Sequence, residues 1–126
     1  MANTNQNGAE ILGETVRRLR KALGLTQDQL AVASGVDESY VSKIETGRLP
    51  YTPSEETLRL MARKLQTDPL QLLSLAKKAP SELRSAAESE SAREFFELVR
   101  ERHLENRDWE DLTETLRRRL EGREIE

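Results

Sequence analysis

An all-α fold is predicted for this chain by three observations. Apolar residues recur three and four apart in separate stretches, as in Leu12, Val16, Leu19 and Leu23 or in Trp109, Leu112, Leu116 and Leu120, which is the spacing of one helical face. The 6 glycines and 4 prolines fall mostly between such stretches, where they stop helices rather than interrupt them. Aromatic residues make up only 4% of the chain, which disfavours sheet. A length of 126 residues fits one compact domain with an appendage.

The elements follow in order. Residues 1–9 are polar and are expected to form a disordered lead. A first helix is expected from Glu10 to Leu23, with Gly24 as its C-cap. The stretch Thr26 to Gly47 then carries tightly constrained spacing. Counted from Gln27, Leu30 and Ala31 come fourth and fifth, Gly35 ninth, Val36 tenth, Val41 fifteenth and Ile44 eighteenth. Ala31 must be small where a second helix passes over it, and Gly35 supplies the positive φ of a tight turn. Leu30, Val36, Val41 and Ile44 close the inside of the angle, which is a helix-turn-helix. Thr26 with Gln29 reads as a capping box, and Asp37 is placed to cap the second helix.

After Gly47 the two prolines of Arg48 to Pro53 make a loop. Ser54 then opens a helix with Glu55 and Glu56 in its favourable first turn and Leu58, Met61, Ala62 and Leu65 on its buried face. Asp68 as cap and Pro69 at the first helical position start a fifth helix through Lys78. Residues 10–78 thus form the helix-turn-helix domain and residues 79–126 a helical extension. In the extension a short helix over 79–87 ends near the Ser/Glu run at Ser89. Ala92, Phe95, Phe96, Val99 and His103 share a face of the next helix. Asp108 is placed to cap a last one after Glu105-Asn106-Arg107. The pair reads as an αα-hairpin. Its apolar residues Phe95, Phe96, Val99, Trp109, Leu112 and Leu116 are assigned to a dimer or partner interface, because two such helices alone leave their stripes uncovered.

The segments LGLTQDQLA, SGVDESYVSKIETG and PSEETLRLMARKL, in that order and at nearly that spacing, resemble the Xre and lambdoid phage repressor (Cro/C1-type) helix-turn-helix family. The resemblance covers about 70 residues and implies a five-helix lambda-repressor-like domain that binds double-stranded DNA. It implies that the helix after Gly35 enters the major groove. Glu38 and Ser39 stand where base-reading residues lie, with Tyr40, Ser42 and Lys43 nearby. A carboxylate at Glu38 can accept from the cytosine amine. Gln27 stands where a phosphate contact also braces the reading helix, and Lys43 and Arg48 are phosphate candidates. Arg20 and Glu45 match a structural ion pair of the family. The loop after Gly47 departs from the pattern, being about two residues longer and carrying Tyr51.

Charge divides the chain unevenly. Residues 1–80 hold 11 Lys and Arg against 9 Asp and Glu, and residues 81–126 hold 9 against 14. The acidic half is thus the extension, and the DNA-binding half keeps a slight basic excess. With no cysteine there is no disulfide or thiolate site. With one histidine, His103, no transition-metal site can be assembled, and no cofactor is expected. The polar start carries no secretory signal and no apolar run spans a membrane, so a cytoplasmic location is expected. No grouping of nucleophile, base and carboxylate points to an enzyme. The expected function is a transcriptional repressor that binds a palindromic operator as a homodimer. The alternative is an antitoxin or other interaction protein whose acidic C-terminal tail binds a protein partner.

Overall fold

In a computed structural model the backbone is described for residues 4–125 and the side chains for residues 8–123. The described backbone is helical: α1 (Thr4–Ala22), α2 (Gln27–Ser34), α3 (Glu38–Glu45), α4 (Glu55–Lys64), α5 (Pro69–Leu75), α6 (Ser81–Ala86), α7 (Glu90–Arg102) and α8 (Asn106–Ile125). The chain divides into two compact units, Met1–Ser81 and Glu82–Glu126.

In the first unit α1 packs on α3 and α5, α2 on α3 and α4, and α4 on α5. Their apolar stripes meet in one core. Leu12 and Val16 come from α1, Leu30 and Ala31 from α2, and Val41 and Ile44 from α3. Leu58, Met61 and Ala62 of α4 join Leu65 just after it and Leu72 and Leu73 of α5. Each large member removed from water contributes about 2 kcal/mol.

Caps fix where the helices start. Ser54 Oγ accepts from Thr57 N–H, and Asp68 Oδ1 accepts from Leu70 N–H with Pro69 at the first position of α5. Helix ends divide into two kinds. Gly24, Gly35 and Gly47 take positive φ after α1, α2 and α3, whereas Gln66, Lys77 and His103 do so after α4, α5 and α7.

Several expectations are corrected. Of the lead assigned as disordered, residues 4–9 belong to α1, and residues 1–3 lie outside the described residues. Tertiary packing explains the longer helix: a Cβ on Gly8 would lie 3.7 Å from Lys77 Cε and 3.9 Å from the Leu75 carbonyl, so this turn rests against the end of α5. Leu23 is 40% exposed rather than buried, because α1 ends at Ala22 and the chain reverses at Gly24. Leu25 returns to pack on the core instead. The fifth helix ends at Leu75, short of Lys78, where Lys77 takes the left-handed conformation.

The second unit differs in kind. None of its described side chains is buried. Phe95 and Phe96 meet edge to face with centroids 5.6 Å apart. His103 does not continue the face of α7; it ends that helix at φ 49°. Asp108 lies inside α8 rather than before it, and its carboxylate reaches back to accept from Glu105 N–H at 2.9 Å.

Candidate nucleic-acid interface

The angle between α2 and α3 is set by local chemistry. Thr26 Oγ1 accepts from Gln29 N–H at 3.0 Å, and Gln29 Oε1 accepts from Thr26 N–H at 2.9 Å, completing the capping box. At the other end Gly35, at φ 69°, and Val36 donate to the last carbonyls of α2: Val36 N–H reaches Ala31 at 3.0 Å and Gly35 N–H reaches Val32 at 3.3 Å. Ala31, 1% exposed, has no room for a longer side chain beneath α3. Asp37 stands at the N-cap of α3 in extended conformation but makes no side-chain cap hydrogen bond, contrary to the expected cap. Its carbonyl accepts instead, from Tyr40 N–H at 3.0 Å and Val41 N–H at 3.3 Å.

A chain of polar contacts fixes the far end of α3. Arg20 donates to both carboxylate oxygens of Glu45, Nε at 2.7 Å and Nη2 at 3.0 Å, and its Nη1 donates to the Leu25 carbonyl at 2.8 Å. Arg20 and Glu45 are each 9% exposed, and the hydrogen bond to Glu45 raises the Arg20 pKa further. Gln27 Nε2 donates to the same carboxylate at 3.1 Å, tying the start of α2 to the end of α3. One glutamate therefore joins α1, α2 and α3.

Gly13, which the sequence pattern passes over, completes this arrangement. A Cβ there would overlap the Ile44 carbonyl oxygen and lie 2.9 Å from that of Glu45. The missing side chain lets α1 touch the backbone of α3, and the signal for it is a glycine inside an otherwise regular amphipathic helix. Another contact without a sequence signal is Tyr40 against Tyr51, with centroids 6.3 Å apart. Burial, and Tyr51 next to it, raise the Tyr40 pKa.

The outer face of α3 presents Glu38, Ser39 and Lys43 exposed, with Tyr40 and Ser42 half-buried beside them. Arg48 is exposed just beyond, where its N–H donates to the Lys43 carbonyl at 2.8 Å. The structure thus brings Glu38 to Lys43 and Arg48 to one edge of the unit. Gln27 is placed at the base of α3, half-buried and already bonded. Among the described residues, no group of three or more His, Asp or Glu is arranged to hold a metal ion, and no helix is long and apolar enough to cross a membrane.

A short helix held rigidly from behind, carrying polar groups on its outer face and meeting its neighbour at a glycine turn, defines a helix-turn-helix DNA-binding fold. Residues 11–75 match the family model described as a helix-turn-helix domain. The HTH-type transcriptional regulator RghRB of Bacillus subtilis is 35% identical over 98 residues, 75% of this chain and 70% of that protein. SlrR of the same species, also an HTH-type transcriptional regulator, is 40% identical over 58 residues, 46% of this chain and 38% of that protein. Among solved structures, the restriction-modification controller protein C.AhdI of Aeromonas hydrophila matches with a TM-score of 0.50 and 33% identity, over 56% of this chain and 99% of that one. The chain belongs to the Xre-type helix-turn-helix family of DNA-binding transcriptional regulators.

Proposed function

We propose that this protein is a repressor that binds a palindromic operator as a homodimer, with α3 of each copy in a major groove. The observation that carries the reading is the outer face of α3: Glu38 and Ser39 stand exposed in its first turn, with Tyr40 beside them, while Arg20, Gln27 and Glu45 hold the helix from behind. Base edges are contacted from the first turn of such a helix. Glu38 accepts from a cytosine amine, Ser39 donates or accepts, and Tyr40 donates a hydrogen bond through its hydroxyl. Lys43 and Arg48 lie beyond, where they meet phosphates and fix the register. Gln27 adds a phosphate contact through its amide and passes the restraint to Glu45. Two copies place their reading helices about 34 Å apart on one face of the duplex, and occlusion of the promoter follows. No catalytic step is part of this role, and a protein that acts on promoters works in the cytoplasm with the DNA.

The test is selection from random duplex DNA by the purified protein at low and at physiological salt. The expected result is the same two-fold symmetric motif at both. Featureless binding that vanishes as salt rises overturns the reading, because phosphate attraction alone carries no sequence information.

A further inference from the structure

Residues Glu82–Glu126 bury none of their described side chains, yet α8 carries a continuous apolar stripe. Trp109, Leu112, Leu116 and Leu120 are 45%, 38%, 57% and 45% exposed. At about 3.6 residues per turn the four fall on one narrow face, about 16 Å long. The cleft beside α7 accounts for only one edge of it. On α8 that cleft is lined by Asp108, Asp111, Leu112 and Thr115, opposite Phe95 and Val99 of α7, and it does not reach Trp109, Leu116 or Leu120.

The charges around the stripe identify what covers it. The first half of α8 holds Asp108, Glu110, Asp111 and Glu114 against Arg107, and the second half holds Arg117, Arg118, Arg119 and Arg123 against Glu121 and Glu124. Glu114 is occupied within the helix by Arg117 at 2.7 Å and Arg118 at 3.2 Å. Helical geometry sets Asp108 and Arg119 along one margin of the stripe and Glu110 and Arg117 along the other, with Arg123 in line with the stripe beyond Leu120. If two copies of α8 lay parallel, opposite margins would meet at equal height, setting Asp108 against the partner's Glu110 and Arg119 against the partner's Arg117. Both are like-charge pairs. Antiparallel copies bring equal margins together with heights reversed. Glu110 then lies beside the partner's Arg117, and Asp108, whose other carboxylate oxygen holds Glu105 N–H, lies near the height of the partner's Arg119. The apolar residues are self-complementary in the same register, Trp109 over the partner's Leu120 and Leu112 over the partner's Leu116, as a two-fold axis requires.

We propose that α8 pairs antiparallel with α8 of a second copy of this chain, about a two-fold axis at the middle of the Trp109–Leu120 stripe. This rests on the homodimer of the functional reading and assigns its interface. The experiment is sedimentation equilibrium on the full-length protein, and the wild type is expected to be a dimer at micromolar concentration. Leu116→Glu places a charge in the apolar seam and is expected to raise the dimer dissociation constant by at least about 100-fold. Circular dichroism of the same sample checks that its helices persist. Glu110→Arg, which leaves the apolar stripe untouched, is expected to weaken the dimer about fivefold, and Arg117→Glu in the same chain to restore it.

A monomeric wild type overturns the proposal and leaves the stripe to a different protein. A dimer that survives Leu116→Glu overturns it by moving the interface elsewhere, and a dimer tightened by Glu110→Arg overturns the antiparallel register. The DNA selection separates this from the functional reading. A paired protein that selects no motif leaves the α8 seam standing without the operator, and an unpaired one that selects a single half-site does the reverse.

Discussion

Helices α4 and α8 each carry an apolar stripe at helical period, and the two meet opposite fates. Leu58, Met61, Ala62 and Leu65 are no more than 2% exposed, whereas Trp109, Leu112, Leu116 and Leu120 are all above a third exposed. The difference is in the neighbours. Helix α4 is packed by both α2 and α5, so its stripe is covered from more than one direction. Among the described residues of the second unit, no such pair of helices crosses the stripe of α8. An amphipathic pattern states that a face will be covered, and it is silent on whether the cover comes from the same chain. A closed unit has its stability inside; an open one keeps its apolar surface for association.

The comparison can be broken most sharply at Glu45. Glu45→Ala leaves Arg20 buried with only the Leu25 carbonyl and removes the polar ties of α3 to α1 and α2. It is expected to cost about 4 kcal/mol in urea unfolding of the first unit. Gly13→Ala comes next, since its methyl group must displace the α3 backbone, at an expected cost of about 2 kcal/mol. Ser39→Ala sharpens the contrast between closure and reading. It is expected to weaken binding to the selected operator by about 1 kcal/mol while the unfolding midpoint stays in place, as parallel titration and melting would register. The smallest effect is expected from Leu116→Ala: with the protein dilute enough to be monomeric, unfolding of the first unit should change by less than about 0.5 kcal/mol.

Much of the fold was legible because it rests on local rules. The Thr26–Gln29 capping box, the turn at Gly35, the Ser54 cap and the Asp68-Pro69 start are each decided within four residues, and each is present in the structure. The partnership of Arg20 and Glu45, 25 residues apart, was available only through the family resemblance. What escaped depends on contacts between distant segments. The turn of α1 near Gly8 is made of weak helix formers and gains its order from α5. Asp37 has the right residue type at the N-cap without making the bond. Gly13 is required by the carbonyl of Ile44, in another helix, which no periodicity in α1 reveals. In the candidate site, Glu38, Ser39 and Lys43 could be placed on the outer face by helical phase alone. That Gln27 would hold Glu45, and that Tyr51 in the loop would meet Tyr40, could not.

The two kinds of helix end bear on how this protein could be made hardier. The three helices that form and brace the reading edge finish in glycines, which take the left-handed turn without steric cost. Gln66 and Lys77, at φ 57°, close α4 and α5 in the same turn with side chains attached. Each holds back about 0.5–1 kcal/mol that glycine would release. Gln66 is outside α2 and α3, so the gain comes without altering the outer face of α3. Gln66→Gly, which leaves the Lys77 side chain beside Gly8 in place, should lift the melting temperature of the first unit by roughly 4 °C. Headroom for heat tolerance, or for absorbing otherwise damaging mutations in the reading helix, is thus stored at the ends of the helices that do not read.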